Sequence, residues 1–313
     1  MAAENVVRVG FQRIYNPWKV AIARGEFEKA TGWEIEWVRL DSGGKVIQAM
    51  AAGDLDIALA GSSPIAAGVN NGVDLQLFWI AEDIASAEAL VVRDGSGIDP
   101  SEPATLKGKK IGVPFVSTTH FHTLFALEVW GIEPNEVEII DMQPNDMATA
   151  WEQGEIDAGF VWDPALGRLK QSGQVMVTSG QLSKLGKATF DGMVAMRSFA
   201  EANTEGMKSF VKVLADADTA YRDNPEKFSP ESPEVQMIVG LVGGNPSDVP
   251  EVLSLYTFPT LEEQASERWL GGGAVEAIYH TSTFLETQGE LSGILDDYST
   301  FVSAEYVEAV LRR

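Results

Sequence analysis

The stretch AMAAGDLDIALAGSSP, Ala49 to Pro64, recurs one residue shorter as AWEQGEIDAGFVWDP, Ala150 to Pro164. Each copy runs from a helix end through Gly–acid–aliphatic–Asp into a short apolar strand, and closes on a Pro placed to open another helix. The surroundings repeat as well. Before the first linker, NVVRVGF, the alternating WEIEWVRL, LDIALA and VDLQLFWI read as strands, with NPWKVAIARGEFEKATG, GKVIQAMAAG and SPIAAGVNNG as the helices between them. In the first helix Asn16 takes the N-cap, Pro17 the first position and Gly32 the stop. After the Gly-, Pro- and Ser-rich GSGIDPSEPATLKGKK the alternation resumes. KIGVPF, EVEIIDM, AGFVW, QVMVTS and GMVAMR are its strands; THFHTLFALEVWG, NDMATAWEQG and ALGRLKQSG are its helices. Strands spaced by helices imply a parallel sheet covered on both faces. Two such runs imply two similar α/β lobes. From Ser198 on the pattern is helical, with Phe210, Leu214, Ala217 and Tyr221 at helical spacing, and such a tail is expected to pack back on the first lobe.

Other features narrow the function. A chain of 313 residues, 45% hydrophobic, can bury one large or two modest cores. A formal charge of −23 without a basic run argues against nucleic acid. The absence of cysteine removes disulfides, thiolate nucleophiles and Cys-based metal sites. No apolar run reaches the roughly 18–20 residues that span a bilayer. Ala2 and Ala3 fit the scar of a removed signal peptide behind an added Met. No GxSxG, P-loop or HExxH occurs, GSGID lies in a polar loop, and His120 and His122 fall on different faces of a helix. Neither an enzyme nor a metal or cofactor site is expected.

In open α/β sheets ligands bind beyond the carboxyl ends of the strands, where helices begin. LAGSSPIAAGV and VPFVSTTHFHTLFALEVWG both place hydroxyl residues there. Free N–H groups and the helix dipole favour an anion at such an end without any Lys or Arg. Ser and Thr are also ordinary N-caps, so one such start is open to a purely structural reading. Two at matching places in two lobes point to a shared anion.

DSGGKVIQAMAAGDLDIALAGSSPIA, SAEALVV, GKKIGVPFVSTTHF, AWEQGEIDAGFVWDPA and DYSTFVSAEYV together resemble the sulfonate/taurine family of ABC-transporter solute-binding proteins, from Val6 to Val307. The resemblance implies an α/β, two-lobe periplasmic-binding-protein fold of type II, with two hinge strands (LVVR and MVAM) and a helical C-terminal segment. Residues 1–92 and 193–313 would form lobe one, and 93–192 lobe two. It implies a monomeric periplasmic protein, exported by a signal peptide absent from this chain, that carries taurine to a membrane permease with its ATPase subunit. Ser62, Ser63, Ser117, Thr118 and Thr119 would hold the sulfonate; Glu88 and Asp191 would hold the ammonium. Trp162 would cover the methylenes or the ammonium, and Gln12 would add a polar contact. His120 would brace its helix start, and Asp163 would cap a helix. FQRIYNPW departs from the family's loop and leaves Tyr15 and Trp18 as either pocket wall or surface; DGMVAM departs from the usual aromatic strand beside the ammonium. Another short sulfonate or small zwitterion is the alternative ligand. A thiamin-pyrimidine-synthesis enzyme shares the fold but carries a cysteine-rich motif that is missing here.

Overall fold

A computed structural model describes residues 6–312; the reading of Ala2 and Ala3 as a processing scar lies outside the described residues. The first α/β run comprises β1 (Val6–Gln12), α1 (Trp18–Ala23), α2 (Glu26–Thr31), β2 (Glu34–Leu40), α3 (Gly43–Ala51), β3 (Ile57–Gly61), α4 (Ser62–Asn70) and β4 (Leu75–Asp83). Residues 84–87 then carry the chain across to β5 (Glu88–Arg93), β6 (Lys110–Val113), α5 (Thr118–Trp130), β7 (Glu138–Asp141) and α6 (Pro144–Glu152). That run ends with β8 (Ala158–Trp162), α7 (Ala165–Lys170), β9 (Gly173–Thr178) and α8 (Ser179–Ser183). Residues 184–189 return it to β10 (Phe190–Met196).

The two sheets have the orders β2-β1-β3-β10-β4 and β7-β6-β8-β5-β9, the same arrangement strand for strand. This is the structural form of the sequence repeat, with β3 matching β8. The sheets are not purely parallel, as the alternation alone predicts. β10 runs antiparallel to both β3 and β4, and β5 antiparallel to both β8 and β9. Each is the strand that arrives from the other sheet. It starts at the edge where its neighbours end, so it must run the opposite way. LVVR and MVAM therefore lie inside the two sheets, and the crossings fall in 84–87 and 184–189. The crossings are close-packed: a Cβ on Gly180 would come 2.4 Å from Ser86 Oγ and 3.0 Å from Ala85 O, and Ala85 holds a left-handed φ of 46°.

The expected helix of residues 17–31 is two helices, because Gly25 adopts φ 64° between them. Asn16 does not cap the first; it is buried, and its side chain serves the site described below.

The tail comprises α9 (Arg197–Ala202), α10 (Thr204–Asp223), α11 (Pro233–Val242), α12 (Val249–Leu255), α13 (Leu261–Ala265), α14 (Gly273–Thr287) and α15 (Glu305–Leu311). Most of it covers the first sheet. Phe210 of α10 lies 4.5 Å from Phe27 and 6.3 Å from Phe78, ring centre to centre, in a core shared with Trp18 and Trp79. The end of α14 reaches the other half, where Phe284 meets Phe121 of α5 edge-on at 5.0 Å.

Candidate functional site

The same strand directions bring two carboxyls to one gap. Glu88 opens β5 opposite Trp162, the last residue of β8. Asp191 lies at the start of β10, between Gly61 at the end of β3 and Glu82 near the end of β4. Both acids face a closed cavity lined also by Gln12, Ser117, Thr118 and Trp162 from the expected set. Ile14, Gly43, Gly61, Pro64 and Tyr256 complete its wall. Its free space is about 10 Å³, room for about one water. Ser62, Ser63 and Thr119 do not line it; they are buried in the first turns of α4 and α5 behind the wall. Gln12 turns its amide to the β3 backbone, Nε2 donating to Leu59 O at 3.1 Å.

The two helix starts differ. α4 opens at Gly61 without a side-chain cap, and Ser62 Oγ accepts only a long bond, 3.4 Å, from Phe190 N. α5 is capped by Ser117, whose Oγ accepts from His120 N at 3.0 Å and donates to Pro114 O at 2.5 Å. The Ser117 hydroxyl is thus occupied by capping, and its backbone is what faces the gap. His120 stacks on Phe115 at 4.5 Å and is held neutral by burial, its pKa pushed down to about 4. It braces the helix start as expected. The loop before it carries strain: Val116, β-branched, sits at φ 53°. That loop touches the other half, where a Cβ on Gly44 would meet Phe115 O at 3.1 Å and Val116 Cβ at 3.3 Å.

At the opposite pole lies a buried ionic cluster. Thr118 Oγ1 donates to Glu88 Oε1 at 2.5 Å, and Ser179 Oγ lies 3.0 Å from Oε2. Burial, reinforced by Asp191, pushes Glu88 up to about 8. Burial pushes Asp191 up to about 7, offset by a hydrogen bond with Glu82 and by the charge of Lys19. Glu82, fully buried, is raised well above the carboxylate range by desolvation and then by Asp191. Lys19 is fully buried too, pulled down to about 7 by desolvation against the pull of the two acids. Its Nζ donates to Asn16 Oδ1 at 2.8 Å and lies 3.6 Å from the centre of the Trp18 ring, while Asn16 Nδ2 donates to Glu82 Oε1 at 3.2 Å. The cluster therefore holds protons that a cation could displace.

Tyr15 and Trp18 are fully buried and belong to neither the cavity wall nor the surface. Asp163 Oδ1 accepts from Gly167 N at 2.9 Å, the capping role expected of it. Sequence reasoning missed Asn16, Lys19, Glu82 and Tyr256. A signal existed for Glu82: an acid at the end of the apolar run LQLFWIAED has the same placement as Asp191 at the start of β10. Lys19 gave none, since a lysine on an amphipathic helix normally reaches water.

The model of the NMT1/THI5-like family matches residues 15–228. The taurine-binding periplasmic protein of Escherichia coli is 37% identical over 302 residues, covering 96% of this chain and 92% of that one. Among solved structures, the periplasmic aliphatic sulphonate-binding protein SsuA of Escherichia coli superposes with a TM-score of 0.75 at 20% identity, covering 97% of this chain and 99% of that one. The desulfurization enzyme DszB, in complex with biphenyl-2-sulfinic acid, superposes at 0.68 with 15% identity over 99% of both chains. The fold thus hosts both binding proteins and an enzyme.

Proposed function

The chain belongs to the NMT1/THI5-like family and is a solute-binding protein of the ABC-importer kind, and we propose that its ligand is taurine, held in the cleft between the two sheets. The observation that carries this reading is the meeting of Glu88 and Asp191 in one closed cavity whose far wall is formed by the starts of α4 and α5. The ammonium replaces the protons of the acidic cluster. The sulfonate takes the amide donors at Gly61–Ser63 and Ser117–Thr119, with the helix dipoles behind them. Trp162, opposite Glu88, covers the two methylenes. Taurine is larger than the free space of the closed cavity, so it enters between separated lobes that then close on it. Neither end of the ligand is tolerated unpaired once water is excluded, because desolvating an unpaired ion costs several kcal/mol. The loaded protein then docks on a membrane permease driven by an ATPase subunit, in the periplasm.

An alkanesulfonate or isethionate would satisfy the helix starts but leave the acidic cluster without a cation. Calorimetry with taurine, isethionate, short alkanesulfonates and sulfate tests the reading: taurine ranks first. Tighter binding of sulfate or of an alkanesulfonate overturns the ammonium assignment.

A further inference from the structure

Glu88 begins a chain of buried hydrogen bonds that leads away from the cavity and ends on the second crossing. Thr118 Oγ1 is 2.5 Å from Glu88 Oε1, and Ser179 Oγ is 3.0 Å from Glu88 Oε2. His122 Nδ1 is 2.8 Å from Ser179 Oγ, and His122 Nε2 is 2.8 Å from the carbonyl of Lys187. Each of these links needs one hydrogen. The Lys187 carbonyl can only accept, so His122 carries a hydrogen on Nε2. A neutral His122 then accepts at Nδ1, which turns the Ser179 hydroxyl toward it. The link between Ser179 and Glu88 must come from a hydrogen on Glu88 Oε2, while Thr118 donates to Oε1. Four links are satisfied only when the Glu88–His122 pair holds one acidic proton.

Burial agrees with this count: it pushes Glu88 up to about 8 and His122 down to about 4, so the proton rests on Glu88. Asp191 from β10 and Tyr256 beyond α12 are the titratable groups that face Glu88. His122 faces the rings of Phe121 at 5.5 Å and Phe160 at 6.2 Å, and the Lys187 ammonium lies over Phe284 at 5.0 Å. The relay touches both crossings, through Lys187 on the second and through Ser179, whose neighbour Gly180 packs on Ala85 and Ser86 of the first.

We propose that Glu88, Ser179 and His122 form a charge-sensing relay, in which a ligand ammonium that draws Glu88 into its carboxylate form changes the hydrogen held at His122 Nδ1 and reports ligand charge to the crossings. The inference rests on the ammonium reading above. The proton leaves Glu88 Oε2 for Ser179 Oγ while the Ser179 hydrogen passes to His122 Nδ1, giving a carboxylate and an imidazolium with all four links kept. If the proton leaves for solvent instead, three hydrogens serve four links and Nδ1 loses its donor. Both routes change Nδ1, and only O–H and N–H bonds are exchanged. Ser179 and His122 are positioning residues that act through Glu88.

The test is 15N NMR of the ring nitrogens of His122 in the full chain. Without ligand, raising the pH from 6 to 9 shifts the Nδ1 resonance in the wild type. The shift is absent in Glu88→Gln, whose amide keeps donating to Ser179, and in Ser179→Ala. Saturating taurine at pH 7 produces the same displacement, and isethionate at saturation does not. A wild-type Nδ1 resonance that is constant with pH, a transition that persists in Glu88→Gln, or taurine that binds by calorimetry without moving Nδ1 overturns the relay. If taurine fails to bind at all, the ammonium reading fails, and the ligand-free titration still decides the relay.

Discussion

Gly61 ends β3 and opens α4 with φ −69° and ψ 160°, a conformation that any residue adopts. Replacing it by Ala introduces no backbone strain and trims the unfolded ensemble, a change usually worth about 0.4–1 kcal/mol of stability. A Cβ at this point would nevertheless stand 2.7 Å from Thr118 Cγ2, 3.2 Å from Asp191 Oδ1 and 3.5 Å from Pro64 Cδ. Carbon atoms in contact sit about 3.5–4.0 Å apart, so the overlap with Thr118 is roughly 1 Å. Thr118 belongs to α5, on the other sheet, and the lobes must part to relieve it. Their parting stretches the 2.5 Å bond between Thr118 and Glu88. Overpacking of this kind costs about 1–3 kcal/mol, and here it falls on the closed arrangement alone. Gly61→Ala is therefore expected to weaken taurine binding by roughly 5- to 150-fold at about 1.4 kcal/mol per decade. Thermal unfolding of the ligand-free protein stays level or improves. Adding Thr118→Ser to the same chain removes Cγ2 and restores most of the affinity in calorimetry. Wild-type affinity in Gly61→Ala, or a double variant no better than the single, refutes the claim that closure brings these two residues together.

Three further outcomes follow from the acidic cluster. Glu88→Gln is expected to cost taurine about 2–4 kcal/mol, a loss in the range of a broken buried charge pair, and to leave isethionate nearly unchanged; equal losses by calorimetry would make Glu88 structural. Because Glu88 and Asp191 titrate near 8 and 7 when buried, taurine binding displaces protons and strengthens as pH rises from 6 to 8, by up to about tenfold per unit for each proton released. The ligand-free protein shows the opposite trend from these groups: the unfolded chain loses their protons above about pH 4 while the folded chain keeps them, so urea midpoints fall between pH 5 and 8. Lys19→Met removes the charge that lowers Glu82 and Asp191, and the pH of half-maximal taurine affinity moves upward. An unmoved midpoint would detach Lys19 from the site.

The order of strands and helices was legible because each element keeps its own period and its own stop. Both cavity acids were legible for a related reason: a strand that arrives from the other sheet begins at the gap, and Glu88 and Asp191 stand at two such beginnings. The crossings were not. LVVR and MVAM are continuous apolar runs, and nothing local states that such a run pairs on both sides within one sheet. The break at Gly25 was hidden because a single glycine inside a helical pattern is often tolerated. Ser62, Ser63 and Thr119 show the limit of reading helix starts: the spacing finds the turn, but the side chains that face the cavity depend on how the two lobes meet. Asn16 has the composition of a cap, and it was recruited instead to bridge Lys19 and Glu82.

Four ionisable side chains, Lys19, Glu82, Glu88 and Asp191, lie buried around one cavity. They cannot all be charged there, since three carboxylates against one ammonium would leave a net charge of about −2 in a medium that screens poorly. The raised carboxyl pKa values are the structure's resolution of that conflict: the acids keep protons until something replaces them. A ligand bearing only an anion gives the cluster nothing to exchange and adds a further negative charge nearby. A ligand bearing only a cation can displace a proton but leaves the helix starts facing no anion. A zwitterion does both, and its transfer into the cleft carries no net charge. Discrimination then arises from proton exchange at one pole coupled to amide donors at the other, and it is independent of the −23 formal charge of the whole chain, most of which lies on the solvated surface.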